Sequence, residues 1–290
     1  MTISIVSDRM ILNISKSAKG RVNMIDYEYI LTDAEYWEQE RNHLVVKHNS
    51  LIQKTRYSLT TQQQKVLLYT ISKIQPGEDD FKEYEFEIKD LCVLFGIESH
   101  GQNYENFKEN IKQLADASFW LRQKEDESEV LVRWYDAVIV NHSNTKVRLV
   151  FNKYLKPYLL ELAGQFTSYE LANTLLMKSR YSIRIYEILK SYEAIGMYKT
   201  DIETLKVLLD CAGDYKVFAD FRRRVLEMAI NEINEYSDLQ VEFTPLRTNR
   251  AFTHIIFTIN KKDADRRVIT MLKNSARINH TAEESEIAKW

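Results

Sequence analysis

Apolar residues at spacings of three and four mark the first regular element. In LTTQQQKVLLYTISKI (59–74), Val66, Leu67, Tyr69, Thr70, Ile71 and Ile74 fall on one side, and Thr60 or Thr61 stands where an N-cap belongs. QPGEDD breaks this helix, and YEFEI alternates as a short strand does. IKDLCVLFGI predicts a second helix ending near Gly96. YENFKENIKQLADASFWL predicts a third, with Phe107, Ile111 and Leu114 on its apolar face. Two β-like runs follow, VLVRWYDAVIVN and KVRLVFN.

The second half repeats this order. YSIRIYEILKSYEAIG predicts a helix, DIETLKVLLD a second and YKVFADFRRRVLEMAINEIN (215–234) a third. LQVEFTPL and THIIFTIN then alternate as two strands around RTNRAF. Ile88, Leu91, Val93 and Leu94 match Ile202, Leu205, Val207 and Leu208 at identical spacing, and Tyr104 and Phe107 match Tyr215 and Phe218. Two copies of helix, helix, helix and β-ribbon define an α+β fold of two tandem winged-helix domains related by an internal repeat. The expected boundaries are an N-terminal extension at 1–43, domains at 44–155 and 156–262, and a tail at 263–290. Within the extension, DYEYILTDAEYWEQER has the composition of one acidic, aromatic helix.

Composition narrows the function classes. A length of 290 residues fits two domains, and 44% hydrophobic with 28% charged residues is ordinary for a globular chain. Seven glycines and three prolines favour long regular elements over Gly-rich nucleotide cradles. The net charge of −2 gives no global attraction for a polyanion, so any nucleic-acid site must come from local clustering. Cys92 and Cys211 lie far apart within apolar runs, the pattern of buried thiols in a reducing cytoplasm rather than of a zinc site. No apolar run approaches the ~20 residues of a membrane span, so the expected setting is cytoplasmic, away from membranes. The chain has no GxxxxGK[ST], HExxH or GxSxG, and no His-apolar-His pair of a metal-dependent nickase. A non-enzyme with no cofactor or metal is the expectation.

The local cluster is Arg222, Arg223 and Arg224, early in the third helix of the second repeat. In a helix-turn-helix this helix enters the major groove and presents its N-terminal side chains to base edges. At about 100° per residue, Phe218, Phe221, Val225, Met228 and Ala229 form the apolar face. Arg223 and Lys216 lie opposite, with Arg222 and Arg224 on the flanks. An outward Arg matches guanine O6 and N7, and flanking ones suit phosphates. The plainer alternative is a solvated basic face, or ion pairs to Asp220 and Glu227. Arg247, Asn249 and Arg250 at the second wing suit sugar-phosphate or minor-groove contact. The corresponding first helix turns Glu105, Glu109 and Lys112 outward, with Lys108 beside them, and KEDESE at the first wing tip would repel phosphates. That ribbon either pairs with another subunit or ends in a plain solvated acidic loop.

LVVKHNSLIQKTRYSLTTQQQKVLLYTISKI, PYLLELAGQFTSYELANTLLMKSRYSIRIYEILKSY and DFRRRVLEMAINEINEYSD together resemble the plasmid replication initiators of the RepB/RepE/π type. The resemblance runs from about Leu44 to Lys262 and keeps all three blocks in order. It implies sequence-specific binding of double-stranded DNA at origin repeats (iterons) as a monomer, origin opening, and recruitment of the host replication initiator and helicase. It further implies a homodimer, in equilibrium with the monomer, that forms through the first domain and represses the initiator's own gene. The matching base-reading position is Arg223, with Arg222 and Arg224; Lys216 lies near a second contact position. A winged-helix transcriptional repressor is the nearest alternative, followed by a nicking replication enzyme.

Overall fold

The computed structural model describes residues 2–7, 10–16, 22–26, 43–75, 77–97, 101–122, 128–141, 145–162 and 164–263. The acidic helix expected within 26–41 and the tail beyond residue 263 lie outside them. Residues 1–40 form a unit of their own. There, β1 (Thr2–Ser7), β2 (Met10–Lys16) and β3 (Val22–Asp26) make an antiparallel meander in that order.

The main body starts with β4 (Leu44–His48) and α1 (Asn49–Lys54). Next comes α2 (Thr61–Ser72), which starts in a capping box: Thr60 Oγ1 accepts from the Gln63 amide at 3.2 Å, and Gln63 Oε1 accepts from the Thr60 amide at 3.0 Å. Residues 63–72 are buried all round, more than the single apolar stripe predicted. The reason is position, because α2 packs against β4, against both later helices of the first half and against the long helix of the second.

Strand β5 (Glu83–Glu87) leads into α3 (Ile88–Phe95), which ends on Gly96 at φ 65°. The reading-helix position of the first half is α4 (Gly101–Leu114), with Phe107, Ile111 and Leu114 buried as the pattern predicts. The pattern runs this helix on through SFWL, but the chain turns at 115–117 and SFWLR becomes β6 (Ser118–Arg122), paired with β7 (Glu129–Arg133). Phe119 and Leu121 point inward while Trp120 points out, a period of two that a helix could not bury. Then β8 (Tyr135–Val140) and β9 (Lys146–Phe151) close a sheet of order β5-β9-β8.

After a short α5 (Lys156–Leu159), β10 (Phe166–Glu170) returns to pair antiparallel with β4. The strand at 44–48 is therefore zipped to a strand more than a hundred residues later. Helices α6 (Ala172–Leu175) and α7 (Arg180–Lys190) open the second half. β11 (Met197–Asp201) and α8 (Ile202–Leu208) follow. The reading helix runs as α9 (Phe218–Phe221), a π-helical turn (Arg222–Glu227) and α10 (Met228–Tyr236). β12 (Leu239–Thr248) and β13 (Ala251–Lys261) complete a sheet of order β11-β13-β12.

The two sheets share one topology: the strand before the second helix pairs with the last strand of the ribbon, which pairs with the middle one. The internal repeat is thus real at the level of the hydrogen-bond ladder. It also corrects the first wing. The counterpart of the β12–β13 hairpin is the β8–β9 pair, whereas β6–β7, which flanks KEDESE, is an inserted hairpin. Residues 123–127 lie outside the described residues.

A buried polar cluster joins the halves. Lys47 on β4 is ion-paired to Glu187 on α7, and Glu187 also accepts from the Tyr169 hydroxyl at 2.6 Å and the Tyr57 hydroxyl at 3.2 Å. Arg184, one turn earlier on α7, donates to the carbonyls of Ile52 at 2.6 Å and Thr55 at 2.7 Å, under the ring of Tyr57. Burial alone raises the Glu187 carboxyl, but Lys47, Arg184 and the Tyr169 hydroxyl more than reverse that and hold it below the usual carboxylate range. Burial pushes the Lys47 ammonium down, and Glu187 only partly offsets it.

Candidate nucleic-acid interface

The second helix-turn-helix is built by short-range polar contacts. Asp201 caps α8, accepting from the Thr204 amide at 3.0 Å. Lys206, nearly fully buried, donates to Glu203 at 2.8 Å and to the Tyr215 carbonyl at 2.9 Å, over the ring of Phe221. It pins the turn just before the reading helix. Farther along, Glu232 accepts from the amides of Lys178 and Ser179 at 3.1–3.2 Å, so the reading helix caps α7. Asn234 bonds the Val241 amide at 2.7 Å and its carbonyl at 2.9 Å, fixing the helix to β12. The AINEIN segment is thus an anchor for the arginines upstream of it. Lys206, Glu232 and Asn234 escaped the sequence pattern because each acts on the backbone of another element or turn, which apolar spacing does not report.

The three arginines occupy the π turn. There the helix closes i→i+5 hydrogen bonds, a form that is rare and concentrates at functional sites. The wider turn shifts the helix phase, so the regular wheel fails beyond it. Val225 and Leu226 are both fully buried neighbours, with Phe221, Ala229, Ile230 and Ile233. Met228, expected on the apolar face, is 38% exposed, and Leu226 takes its place inside. Phe221 is fully buried as Phe107 is, whereas Phe218 is half-buried against the wing.

All three arginines are exposed. Arg223 is 69% exposed and meets Asp220 at 3.3 Å; Arg222 meets Glu227 at 2.8 Å, five residues on, across one π turn. Arg224 has no ion pair or hydrogen bond among the described residues. The expected alternative of ion pairs to Asp220 and Glu227 is therefore present in the free protein. Such exposed pairs contribute about 0.2–1 kcal/mol, little enough for a phosphate or a guanine edge to displace them. Lys216 is exposed, but it stands in the turn before Phe218, not on the helix.

The wing lies against this helix. Phe252 on β13 meets Phe218 with ring centroids 4.5 Å apart, and the Arg247 guanidinium sits 4.2 Å above Phe252. A bulge opposite Leu246 and Arg247 re-aims the strand there. The strands run longer than predicted, so Arg247 belongs to β12 and the tip is only Asn249 and Arg250, both exposed. Asn249 holds φ 57°, a conformation open to Asn and Gly but strained for a β-branched residue. Asn249→Val is expected to lower stability by about 1–3 kcal/mol while Asn249→Gly is nearly neutral, as read from urea melts.

In the first half, Lys108 and Lys112 are spaced along α4, paired with Glu105 at 3.8 Å and Glu109 at 3.4 Å. Lys108 also approaches the Tyr104 ring at 5.8 Å. Their positive charge is matched locally, as that of Arg222 and Arg223 is, but this helix has no counterpart of Arg224 without an ion pair among the described residues. Cys92 and Cys211 are buried free thiols. Among the described residues no group of His, Cys, Asp and Glu could hold a metal, and no helix is long and apolar enough to cross a membrane.

These two winged helices match known sequence families. Residues 44–190 match the family described as Initiator Replication protein, WH1, and residues 201–259 match Initiator Rep protein, WH2. The chain belongs to the replication initiator (Rep) protein family. It is 24% identical over 245 residues to a replication initiation protein from Escherichia coli, covering 80% of this chain and 74% of that one. An uncharacterized 27.6 kDa protein from Escherichia coli is 22% identical over 213 residues, covering 69% and 88%. Among solved structures, the Pi initiator protein in complex with iteron DNA aligns with a TM-score of 0.63 at 20% identity, over 77% of this chain and 99% of that one. The Rep initiator fold thus accounts for both halves, with the WH1 match extending through α7 and the WH2 match starting at Asp201, the last residue of β11.

Proposed function

We propose that this Rep initiator binds double-stranded DNA at tandem origin repeats (iterons) and opens the adjacent duplex, with no catalysis of its own. The carrying observation is the arginine triplet on the π turn, exposed beside a wing whose Phe252 packs on Phe218 of the same helix and carries Arg247 over its ring. Arg223 reads a base edge; Arg222, Arg224 and Lys216 hold phosphates. Arg247, Asn249 and Arg250 follow the backbone at the wing. The half at 156–262 is the main reader, and that at 44–155 is the auxiliary one, with Lys108 and Lys112 as its backbone contacts.

The homodimer falls to the inserted hairpin. Trp120 and Leu131 face each other across β6–β7, 59% and 54% exposed, on a two-stranded ribbon whose outer edges have no strand partner among the described residues. That dimer would serve autoregulation, and the monomer would serve the repeats and the host initiator and helicase.

Titration of a tandem-repeat duplex from beside the gene against a scrambled duplex tests the reading. Preference for the repeats, falling steeply with salt, is expected. Equal affinity for both duplexes, or metal-dependent nicking of a supercoiled origin, would overturn it.

A further inference from the structure

Residues 55–60, between α1 and α2, run extended with strict alternation. Thr55, Tyr57 and Leu59 are buried; Arg56, Ser58 and Thr60 are exposed. The run touches both reading modules. At one end, Thr60 Oγ1 meets Asn110 of α4 at 3.3 Å. At the other, Arg56 bonds Asp210 through Nε at 2.9 Å and a terminal nitrogen at 2.8 Å. Asp210 stands in the turn ahead of the second reading helix at φ 52°.

A second guanidinium converges on the same place. Arg180 donates to Ser58 Oγ at 3.3 Å, to the Asp210 carbonyl at 3.4 Å and to the Tyr181 hydroxyl at 3.1 Å. The Tyr181 ring abuts Tyr215, which abuts Phe221 at the head of the arginine triplet. The outward face from Thr60 to Arg180 therefore bridges the two reading helices. At about 3.3 Å per residue the run from Arg56 to Thr60 spans roughly 13 Å. The exposed side chains of Arg56, Ser58 and Thr60 lie along this bridge, between the two helices.

We propose that Arg56 and Arg180 form a phosphate seat between the two reading heads, contacting the backbone where the DNA crosses from one module to the other. The seat rests on the DNA-binding reading above. Arg56 is 60% exposed and its charge is held by one acid, Asp210. Partial burial pushes that carboxyl up, but hydrogen bonds from Ser58 and Arg56 outweigh it and keep it below the usual range. In the free protein Asp210 thus occupies the place of a phosphate. On binding, phosphate oxygens replace it, and the contact fixes how the two heads are spaced along the helix axis without reading any base.

A bare structural strut would also pair Arg56 with Asp210, so the two substitutions must be compared. Arg56→Gln and Asp210→Asn in the full chain each break the ion pair, and Asn tolerates the left-handed backbone at that position. Binding to the repeat duplex is measured from 50 to 200 mM salt, with thermal melts alongside. Arg56→Gln is expected to lower the salt slope by about 0.9, so the wild-type advantage shrinks about 3.5-fold over that fourfold range. The ratio of repeat to scrambled affinity should stay as in the wild type. Asp210→Asn is expected to tighten binding to both duplexes. Equal weakening by both substitutions with parallel losses in melting temperature, or an unchanged slope for Arg56→Gln, would overturn the seat. A wild-type chain that does not prefer the repeats would overturn the underlying reading instead.

Discussion

Replacing Arg223 by alanine is expected to weaken binding to the cognate repeat about 5- to 150-fold, or about 1–3 kcal/mol, and to relax preference at one base pair. Arg223 is the most exposed of the paired arginines, and its partner Asp220 is a surface acid one turn away. Among the described residues its fork meets only Asp220, in an exposed pair of little weight, so the loss should appear in DNA binding far more than in stability. Anisotropy titrations with the wild-type repeat and single-position variants would show it. An unchanged affinity with an unchanged base profile would remove Arg223 from the reading role. Arg224→Ala should behave differently, lowering affinity for every duplex alike and reducing the salt slope by about 0.9.

The second large effect is on the fold. Glu187→Ala should destabilise the protein by about 3–5 kcal/mol, because it strands Lys47 and part of Arg184 in the interior without their acid. Urea unfolding measures this directly. A joint Lys47→Met and Glu187→Met exchange should recover much of the loss, since an apolar pair replaces a buried ion pair at little net cost. A loss below about 1 kcal/mol for Glu187→Ala would mean that Lys47 sheds its proton at no great cost. The pH dependence has a definite sign. The Glu187 carboxyl is held below its unfolded value, so its contribution is full above the ordinary carboxylate range near pH 4.3 and is lost as pH falls through the folded value. Wild-type unfolding at pH 7 and at pH 4 should therefore differ more than in the double exchange.

The buried cluster and the DNA-facing bridge lie on the two faces of one short stretch. Tyr57 reaches inward to Glu187 while Arg56 and Ser58 reach outward to Asp210 and Arg180. The period of two in residues 55–60 separates these duties, and it went unnoticed in the sequence because six residues beside a strong helix look like a linker. Lys206 was hidden in the same way, as one cation in the apolar run IETLKVLL whose acceptor is the backbone of Tyr215.

Periodicity alone placed α2, α3, α4 and α8, and it exposed the internal repeat, because apolar spacing is a local property that burial must respect. It also marked the arginine triplet as too costly to bury and so as surface. The tertiary structure decided what depends on partners distant in the chain. It moved SFWLR from helix to strand, since pairing with 129–133 satisfies the backbone while the alternation buries both Phe119 and Leu121. It joined β4 to β10 and set the common order of the two sheets. It wound the triplet into a π turn, burying Leu226 and exposing Met228, because the packing of α10 against α7 and β12 fixes the helix phase after the arginines independently of the phase before them.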